Sequence, residues 1–532
     1  MPSRRREGGD VSAIYVHAGA GFHSYQNEKA HLQICHDAAK IAMAVLRNGG
    51  SAVDAVEIAI KLMEDREITN AGYGSNLTAD GSVECDATII DHYGRSGAVG
   101  AVSQIKNPIS LARVILESSA KPLSLQRVPP NLLVSAGATD FAYENGIPVL
   151  PPDFLNSPAA KERWRRWRHD LNVARQKEIE QNEARREEER RNEVYRTPMH
   201  RAVMIHPSQL ISPPPSVNSK AHNDVSFNKD IEGDSPTGLI GDGSNGLRDN
   251  IPRKRLPPKM GSTYRSSRRD IGAFDERNNT NGMTSPPFPA AVSSRTILDH
   301  SCQSHDLNVQ VDAIGGQTPS HMPRENLSIT HGRTESKDHI TDTVGAIAID
   351  CYGNIAAGSS SGGIGMKHRG RIGPAALVGV GTAVIPIDPE DPDRTCVAAV
   401  MSGTGEHMTT TMAAGTCASR VYFSQRKGEG GILEEVSEDE AVKAMIEEDF
   451  MRHPGVRGSN CEGAIGVLAV KKTKDGVFLV FAHNTDSFVL ASMSSEDQLP
   501  VCVMSRSHIH GAVAQGGRVS RRRRYRVMNM EA

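Results

Sequence analysis

Ile340-Thr341-Asp342-Thr343-Val344-Gly345-Ala346-Ile347-Ala348-Ile349-Asp350 is where this chain changes character. A long polar stretch precedes it. From Thr343 onward the residues are small, apolar and β-branched, the composition of a buried strand. An Asp-Thr pair sits on the border. Breaking the Asp342–Thr343 bond would make Thr343 an N-terminal residue, with its hydroxyl beside its own α-amine. That amine has a pKa of about 7.7–8.0, so a useful fraction is unprotonated near neutral pH. A hydroxyl with a base in the same residue is an activated nucleophile.

Working outward on the downstream side, residues 344–349 and 354–357 read as a hairpin around Cys351-Tyr352-Gly353-Asn354. Ser359-Ser360-Ser361-Gly362-Gly363 follows, then Lys367-His368-Arg369-Gly370-Arg371-Ile372-Gly373. Residues 397–402 form another buried strand, which runs into Gly403-Thr404-Gly405-Glu406 and a helix to about Phe423. A further helix spans about 438–452, with Ser437 as its cap and Glu440 three residues on. Strands at about 464–471, 478–483 and 488–492 complete the set, and the chain after Gly517 reads as a basic, mobile tail.

On the upstream side, a strand at 13–17 meets the glycine turn Ala18-Gly19-Ala20-Gly21. Residues 29–48 carry apolar positions at helical spacing and stop at Gly49-Gly50. Ser51 caps a second helix, with Asp54 completing a capping box. Thr69-Asn70-Ala71-Gly72-Tyr73-Gly74 is a loop in which an asparagine amide either caps a turn or faces an oxyanion. Strands at 82–91 and 97–102 and helices at about 107–117 and 139–145 follow. Strands followed by helices predict helices covering the faces of a sheet.

Beyond Pro151-Pro152 the composition shifts. Residues 161–196 are almost all charge, with Trp164 and Trp167 as rare apolar points, so the stretch predicts a solvated, partly formed helix. Residues 197–342 are rich in Ser, Pro, Asn, Gly and Asp and lack the apolar content to offset their ordering entropy, which predicts disorder. The basic clusters Arg253-Lys254-Arg255 and 265–269 lie inside this segment and read either as nuclear-import signals or as solvating charge.

Whole-chain composition narrows the options. A length of 532 residues allows one or two well-cored domains, and 38% hydrophobic content agrees with a long polar insert. A net charge of −2 gives no global field for nucleic acid or membrane, so neither is an expected direct partner. The eight cysteines lack metal-site spacing; Cys35, Cys85, Cys351 and Cys461 lie in or beside core-like runs, as buried reduced thiols do. The start lacks the apolar run of a secretory signal, and no run reaches the ~20 apolar residues of a membrane span. An intracellular soluble protein is the expectation.

The order of these pieces, a nucleophile on a strand, Ser-Gly-Gly, Gly-Arg-Ile-Gly and then Ser-Gly-Thr-Gly-Glu, resembles the plant-type (type 2) asparaginase family of N-terminal nucleophile hydrolases. The likeness extends to His17-Ala18-Gly19-Ala20-Gly21, Asn70-Ala71-Gly72 and Asp86-Ala87-Thr88-Ile89-Ile90-Asp91. Within the family the chain is most similar to the protease branch, the threonine aspartases. Asp342 stands where asparaginases usually carry Gly. Pro374 follows Gly370-Arg371-Ile372-Gly373, where asparaginases place an Asp for the substrate amine. A long basic insert ahead of the nucleophile is typical of that branch.

The resemblance implies an α+β fold, a four-layer αββα sandwich with a long disordered insert before the nucleophile, made as a self-cleaving precursor. Residues 1–342 would be the α subunit: ordered over about 11–155, a charged helix-like insert at 156–196, and disorder over 197–342. Residues 343–532 would be the β subunit, ordered to about 515, with a basic tail at 516–532. Carried over by position, Asp342 and Thr343 form the self-cleavage site and Thr343 is the nucleophile. Ser361 hydrogen-bonds the nucleophile and contacts the substrate acid. Arg371 grips a carboxylate, with Lys367 as a second contact. Ser402 and Gly403 lie on the oxyanion side, and Asn70 supplies an assisting amide. No organic cofactor or catalytic metal is implied, although family members often hold a structural sodium ion near the loop before Asn70. The implied function is cleavage of polypeptides after Asp, on nuclear transcription regulators, with a nuclear and cytoplasmic location. The alternative is hydrolysis of asparagine or β-aspartyl dipeptides. Implied partners are Asp-containing protein substrates, the αβ heterodimer or a pair of such units, and the import machinery.

Overall fold

In the computed structural model, residues 11–196, 343–507, 509 and 511–521 are described, and all of them belong to one compact unit. The first part of the chain supplies β1 (Ala13–Gly21), α1 (Glu28–Arg47), α2 (Ala52–Glu64), β2 (Cys85–Ile90), β3 (Ser96–Val102), α3 (Pro108–Ser119), β4 (Leu132–Val134), α4 (Ser135–Glu144) and α5 (Pro158–Arg196). The second part supplies β5 (Val344–Ile349), β6 (Ile355–Ser361), β7 (Thr382–Ile385), β8 (Cys396–Gly403), α6 (Gly405–Thr411), α7 (Ala413–Phe423), β9 (Gln425–Lys427), β10 (Leu433–Glu435) and α8 (Glu438–Ala444). It ends in α9 (Pro454–Arg457), β11 (Ile465–Thr473), β12 (Gly476–His483), β13 (Ser487–Ser494), β14 (Val501–Arg506) and β15 (Ala514–Ser520).

Eight strands form one sheet in the order β14-β13-β1-β5-β6-β2-β3-β4, and five form a second, β15-β12-β11-β8-β7; β9 and β10 pair separately. Successive side chains on a strand point to opposite faces. On β5, Val344, Ala346 and Ala348 enter one apolar cluster with Ala38 and Met43 of α1, Val56 and Ile60 of α2 and Ile109 of α3. The alternate residues Ile347 and Ile349 enter another with Val400, Leu468, Val470 and Phe481 of the smaller sheet. On β8, Val400 faces that inter-sheet cluster, whereas Val397 and Met401 pack with Met408, Cys417, Val421 and Phe450 on the far side. The layers therefore run helix, sheet, sheet, helix. Strands in such a sandwich are covered on both faces, and β2 is buried throughout, Asp86 and Thr88 included.

Several local expectations hold. The capping box of α2 forms, with Asp54 N donating to Ser51 Oγ and Ser51 N donating to the Asp54 carboxylate. Others are corrected. β1 continues through Ala18-Gly19-Ala20-Gly21 with a register shift, so the glycines serve a strand and not a plain turn. The helix to Phe423 breaks at Met412, whose φ of 49° is left-handed. The helix after Ser437 passes into a π-helical turn at Met445–Met451. Residues 516–520 are no tail: they belong to β15, which pairs with β12. Cys461 is exposed and Cys351 half-buried, while Cys35 and Cys85 are buried. The charged stretch at 161–196 lies in one 39-residue helix, α5, of which the first turns are docked. Residues 197–342, expected to be disordered and including Asp342 and the basic clusters, and residues 522–532 of the expected tail lie outside the described residues.

Glu64, at the end of α2, is fully buried; its Oε1 accepts from Ile109 N at the start of α3 (3.0 Å) and from Ser360 Oγ on β6 (2.7 Å). Burial pushes its carboxyl up to about 8, against the opposing hydrogen bonds. An acid whose folded pKa lies above its unfolded value keeps its proton in the native chain and loses it in the unfolded chain. Stability should therefore fall as pH rises from about 4.5 to about 8, by an amount on the order of a few kcal/mol. Glu64→Gln, which keeps the acceptor, should flatten that slope and be the more stable protein at pH 9. Denaturant melts of both proteins at pH 6 and pH 9 test this; parallel losses would sink it.

Candidate active site

Thr343 stands immediately ahead of β5, in the middle of the larger sheet. Its backbone is held on both sides: Thr343 N donates to Ser402 Oγ at 3.3 Å, and its carbonyl accepts from Gly19 N at 3.2 Å. Val344 pairs with Ser360, so one further step of the register sets Thr343 opposite Ser361. Ser402 is at the end of β8 in the other sheet. The two sheets thus bring together Thr343, Ser361 and Ser402, three positions singled out from sequence.

Glycines set the walls. Gly362 N donates to the Asn70 carbonyl at 2.7 Å, and a Cβ on Gly362 would lie 2.5 Å from Ser75 Cβ and 2.6 Å from Asn70 Oδ1. Gly403 has φ of +156°, and a Cβ there would lie 2.1 Å from the Ala464 carbonyl oxygen. Only glycine allows that approach. Gly403 is exposed next to Ser402, so its surroundings suit an oxyanion position.

Three sequence-derived site residues are engaged by groups of the chain itself. Asn70 is fully buried, its Nδ2 donating to Gly363 O at 2.8 Å and its Oδ1 accepting from Asn76 N at 2.8 Å. It fastens the Gly362-Gly363 turn, a positioning duty; its amide is not simply aimed at a reacting oxygen. Lys367 is 2% exposed and its Nζ donates to Glu84 O at 2.8 Å, so it is no open substrate contact. Arg371 is accessible, but its Nε (3.1 Å) and Nη2 (2.5 Å) both donate to Glu406 Oε1. The guanidinium fork is already engaged by a carboxylate of the chain itself.

Residues that sequence reasoning did not assign also shape the site. Buried Arg163 of α5 donates to Gly74 O at 2.8 Å and to Asn76 Oδ1 at 3.3 Å. Trp164 Nε1 donates to Thr78 O at 2.9 Å, and Trp167 packs so closely on Gly365 that a Cβ there would lie 2.0 Å from its ring. The signal was present: two tryptophans in a run of charge have a reason to be there. The carbonyl oxygens of Thr69, Arg66 and Glu67 crowd Gly74, at 2.0, 2.8 and 2.8 Å from where its Cβ would stand. A group of carbonyl oxygens is the donor set of a hard cation, so these three carbonyls fit a structural sodium ion that would stiffen the loop before Asn70. Among the described residues no cluster of three or more His, Cys, Asp or Glu is disposed to hold a metal, and no helix is long and apolar enough to cross a membrane.

A threonine at the head of a central strand, between two facing sheets and beside Ser-Gly-Gly and Ser-Gly turns, is the arrangement of the N-terminal nucleophile hydrolase class. The chain belongs to the asparaginase family, whose profile matches residues 11–197 and 303–489. It is 40% identical over 159 residues to an isoaspartyl peptidase/L-asparaginase of Danio rerio, covering 29% of this chain and 48% of the relative. It is 38% identical over 160 residues to the protein of the same name from Homo sapiens, covering 30% and 49%. An isoaspartyl peptidase of Salmonella typhimurium is 32% identical over 157 residues, covering 28% and 47%. The chain thus spans about half the length of the curated relatives it matches.

Proposed function

We propose that this protein is a self-processing hydrolase in which Thr343 attacks a carbonyl next to an aspartyl carboxylate, and that it acts as an endopeptidase cutting after Asp. The observation that carries the reading is the placement of Thr343 N beside Ser402 and of Thr343 opposite Ser361. In the precursor, Thr343 Oγ adds to the Asp342 carbonyl carbon and the amide rearranges to an ester. Water then hydrolyses the ester, releasing the Asp342 carboxylate and leaving Thr343 with a free amine.

In the matured protein that amine takes the Thr343 hydroxyl proton as Oγ attacks the substrate carbonyl. Gly403 N and its neighbours face the developing oxyanion; one such donor is worth roughly 2.7–4 kcal/mol in another hydrolase. The proton passes to the departing amine, leaving an acyl-threonine ester. Water, deprotonated by the Thr343 α-amine, then frees the acid product and returns the hydroxyl to Thr343. Arg371 selects Asp because its planar fork matches a carboxylate in a bidentate way.

The finer assignment rests on the loop around Arg371. It ends in Pro374, with no carboxylate in residues 367–374 to hold a substrate amine, and an internal Asp of a polypeptide has no such amine. The likeness to the threonine aspartases extends the proposal to nuclear transcription regulators as substrates, and the basic clusters Arg253-Lys254-Arg255 and 265–269 extend it to nuclear import. A second reading, hydrolysis of β-aspartyl dipeptides or asparagine, is favoured by the names of the relatives. The experiment is a substrate panel for the matured protein: an internally Asp-containing peptide, the same peptide with Glu, a β-aspartyl dipeptide and asparagine. Turnover of the Asp peptide at least about 100-fold above the Glu peptide supports the endopeptidase, since one misfitted group costs about that much. Turnover confined to the two small substrates would replace it with the second reading.

A further inference from the structure

The Asp86-Ala87-Thr88-Ile89-Ile90-Asp91 motif is left without a duty by the chemistry above, yet it starts beside the reacting residues: Asp86 pairs in register with Ser361. Asp86 is fully buried. Its Oδ2 accepts from Gly373 N at 2.8 Å and its Oδ1 from Ala101 N at 2.8 Å. Two positions earlier, Glu84 is 4% exposed and its Oε2 accepts from Gly370 N at 2.8 Å. Gly370 and Gly373 are the residues that bracket Arg371-Ile372. Ile372 in turn packs over Gly100, where a Cβ would lie 3.0 Å from its Cδ1.

Two buried acids so close to a proposed anion site would oppose a substrate carboxylate unless balanced. Lys367 supplies the balance. Its ammonium, 2% exposed, bonds the Glu84 carbonyl, and it is the largest charge opposing the upward push that burial gives the Asp86 carboxyl. Arg369 adds an exposed contact, 3.7 Å from Glu84 Oε1. A buried unpaired charge is costly, and a paired, hydrogen-bonded one is tolerated.

We propose that Glu84 and Asp86 are positioning residues that clamp the arginine-bearing loop by its amides on either side of Arg371, with Lys367 as their charge partner, and so set selectivity for an aspartyl carboxylate. The inference rests on the reading of Arg371 given above. The clamp acts on substrate recognition and leaves Thr343, Ser402 and Gly403 in place. Asp86→Asn keeps the shape but sets an amide against one of two N–H donors. It should raise KM for the Asp peptide about 10- to 100-fold, with kcat within about threefold and self-cleavage at Thr343 retained. Glu84→Gln should move KM the same way by less.

The deciding measurement is a double-mutant cycle. In an Arg371→Ala background, Asp86→Asn should add almost nothing to KM, because its whole effect passes through the arginine. An equal KM penalty in both backgrounds, an unchanged KM, or a loss of kcat alone would overturn the clamp. If Asp86→Asn does not fold, Glu84→Gln carries the same cycle. Affinity for an acetylated peptide ending in Asp, a product mimic, is read in parallel. Wild-type protein that bound no such peptide would overturn the clamp together with the reading of Arg371. Wild-type binding that survives intact in Asp86→Asn and Glu84→Gln would overturn the clamp alone.

Discussion

A protein carrying Thr343→Ala is expected to persist as one 57.4-kDa chain and to hydrolyse none of the four test substrates. Both outcomes come from one atom. Without Oγ there is no nucleophile to add to the Asp342 carbonyl, so no new terminus forms. Without that terminus there is no free amine to serve as base. Losing a nucleophile costs roughly 10⁶-fold in kcat in a well-studied hydrolase, and here the base is lost with it. Thr343→Ser retains hydroxyl and amine, so it should mature and turn over, more slowly because the missing methyl leaves Oγ less restricted. N-terminal sequencing of wild-type protein should read Thr-Val-Gly-Ala, and intact-mass measurement should find two chains. A split Thr343→Ala protein would assign the cut to something other than Thr343. Unsplit wild-type protein with full activity would remove the amine from the mechanism.

Much of this arrangement was legible in the chain because its strands are buried on both faces. Such strands read as apolar runs, as residues 344–349 and 397–402 do, and the order of the motifs at their ends carried the family resemblance that singled out Thr343, Ser361 and Ser402. The capping box at Ser51 and Asp54 was equally local and equally readable. What sequence reading lost was long-range hydrogen bonding. Asn70 meets Gly363, Lys367 meets Glu84 and Arg371 meets Glu406 across gaps that no periodicity encodes. Polar side chains near Thr343 therefore looked like an oxyanion donor, Asn70, and a substrate contact, Lys367, when both are bonded within the scaffold. Charge patterning misled in another way. The run after residue 161 lacks a broad apolar face, so it predicted a partly formed helix. Arg163, Trp164 and Trp167, together with buried Ala160, dock its first turns on the loops that frame the site. The strand β15 was missed because Gly516 and Gly517 argue against a strand, whereas close packing on Phe481 and Leu479 of β12 requires them.

The pairing of Arg371 with Glu406 leads to the second large effect. Arg371→Ala should lower kcat/KM for the Asp peptide by roughly 100- to 1,000-fold, because truncating one partner of a charge-assisted pair costs about 2–5 kcal/mol. Arg371→Lys should restore little, since an ammonium cannot present the planar fork. If Arg371 binds the substrate carboxylate as proposed, that carboxylate must replace Glu406. Arg371 is about one-third exposed and Glu406 about two-thirds exposed, and pairs of this kind contribute about 0–1 kcal/mol net. A substrate carboxylate can therefore displace Glu406 at little cost, and Glu406 behaves as a weak internal competitor that keeps the fork extended while the site is empty. Glu406→Gln should lower KM for the Asp peptide by up to about fivefold, the equivalent of roughly 1 kcal/mol, and leave kcat unchanged. Because the competing pair is exposed, raising salt should narrow the difference between Glu406→Gln and wild type. A KM that rises in Glu406→Gln would reverse the assignment: the acid would then be holding the guanidinium in its binding orientation, and its removal would cost more through disorder of the arginine than it returns through lost competition.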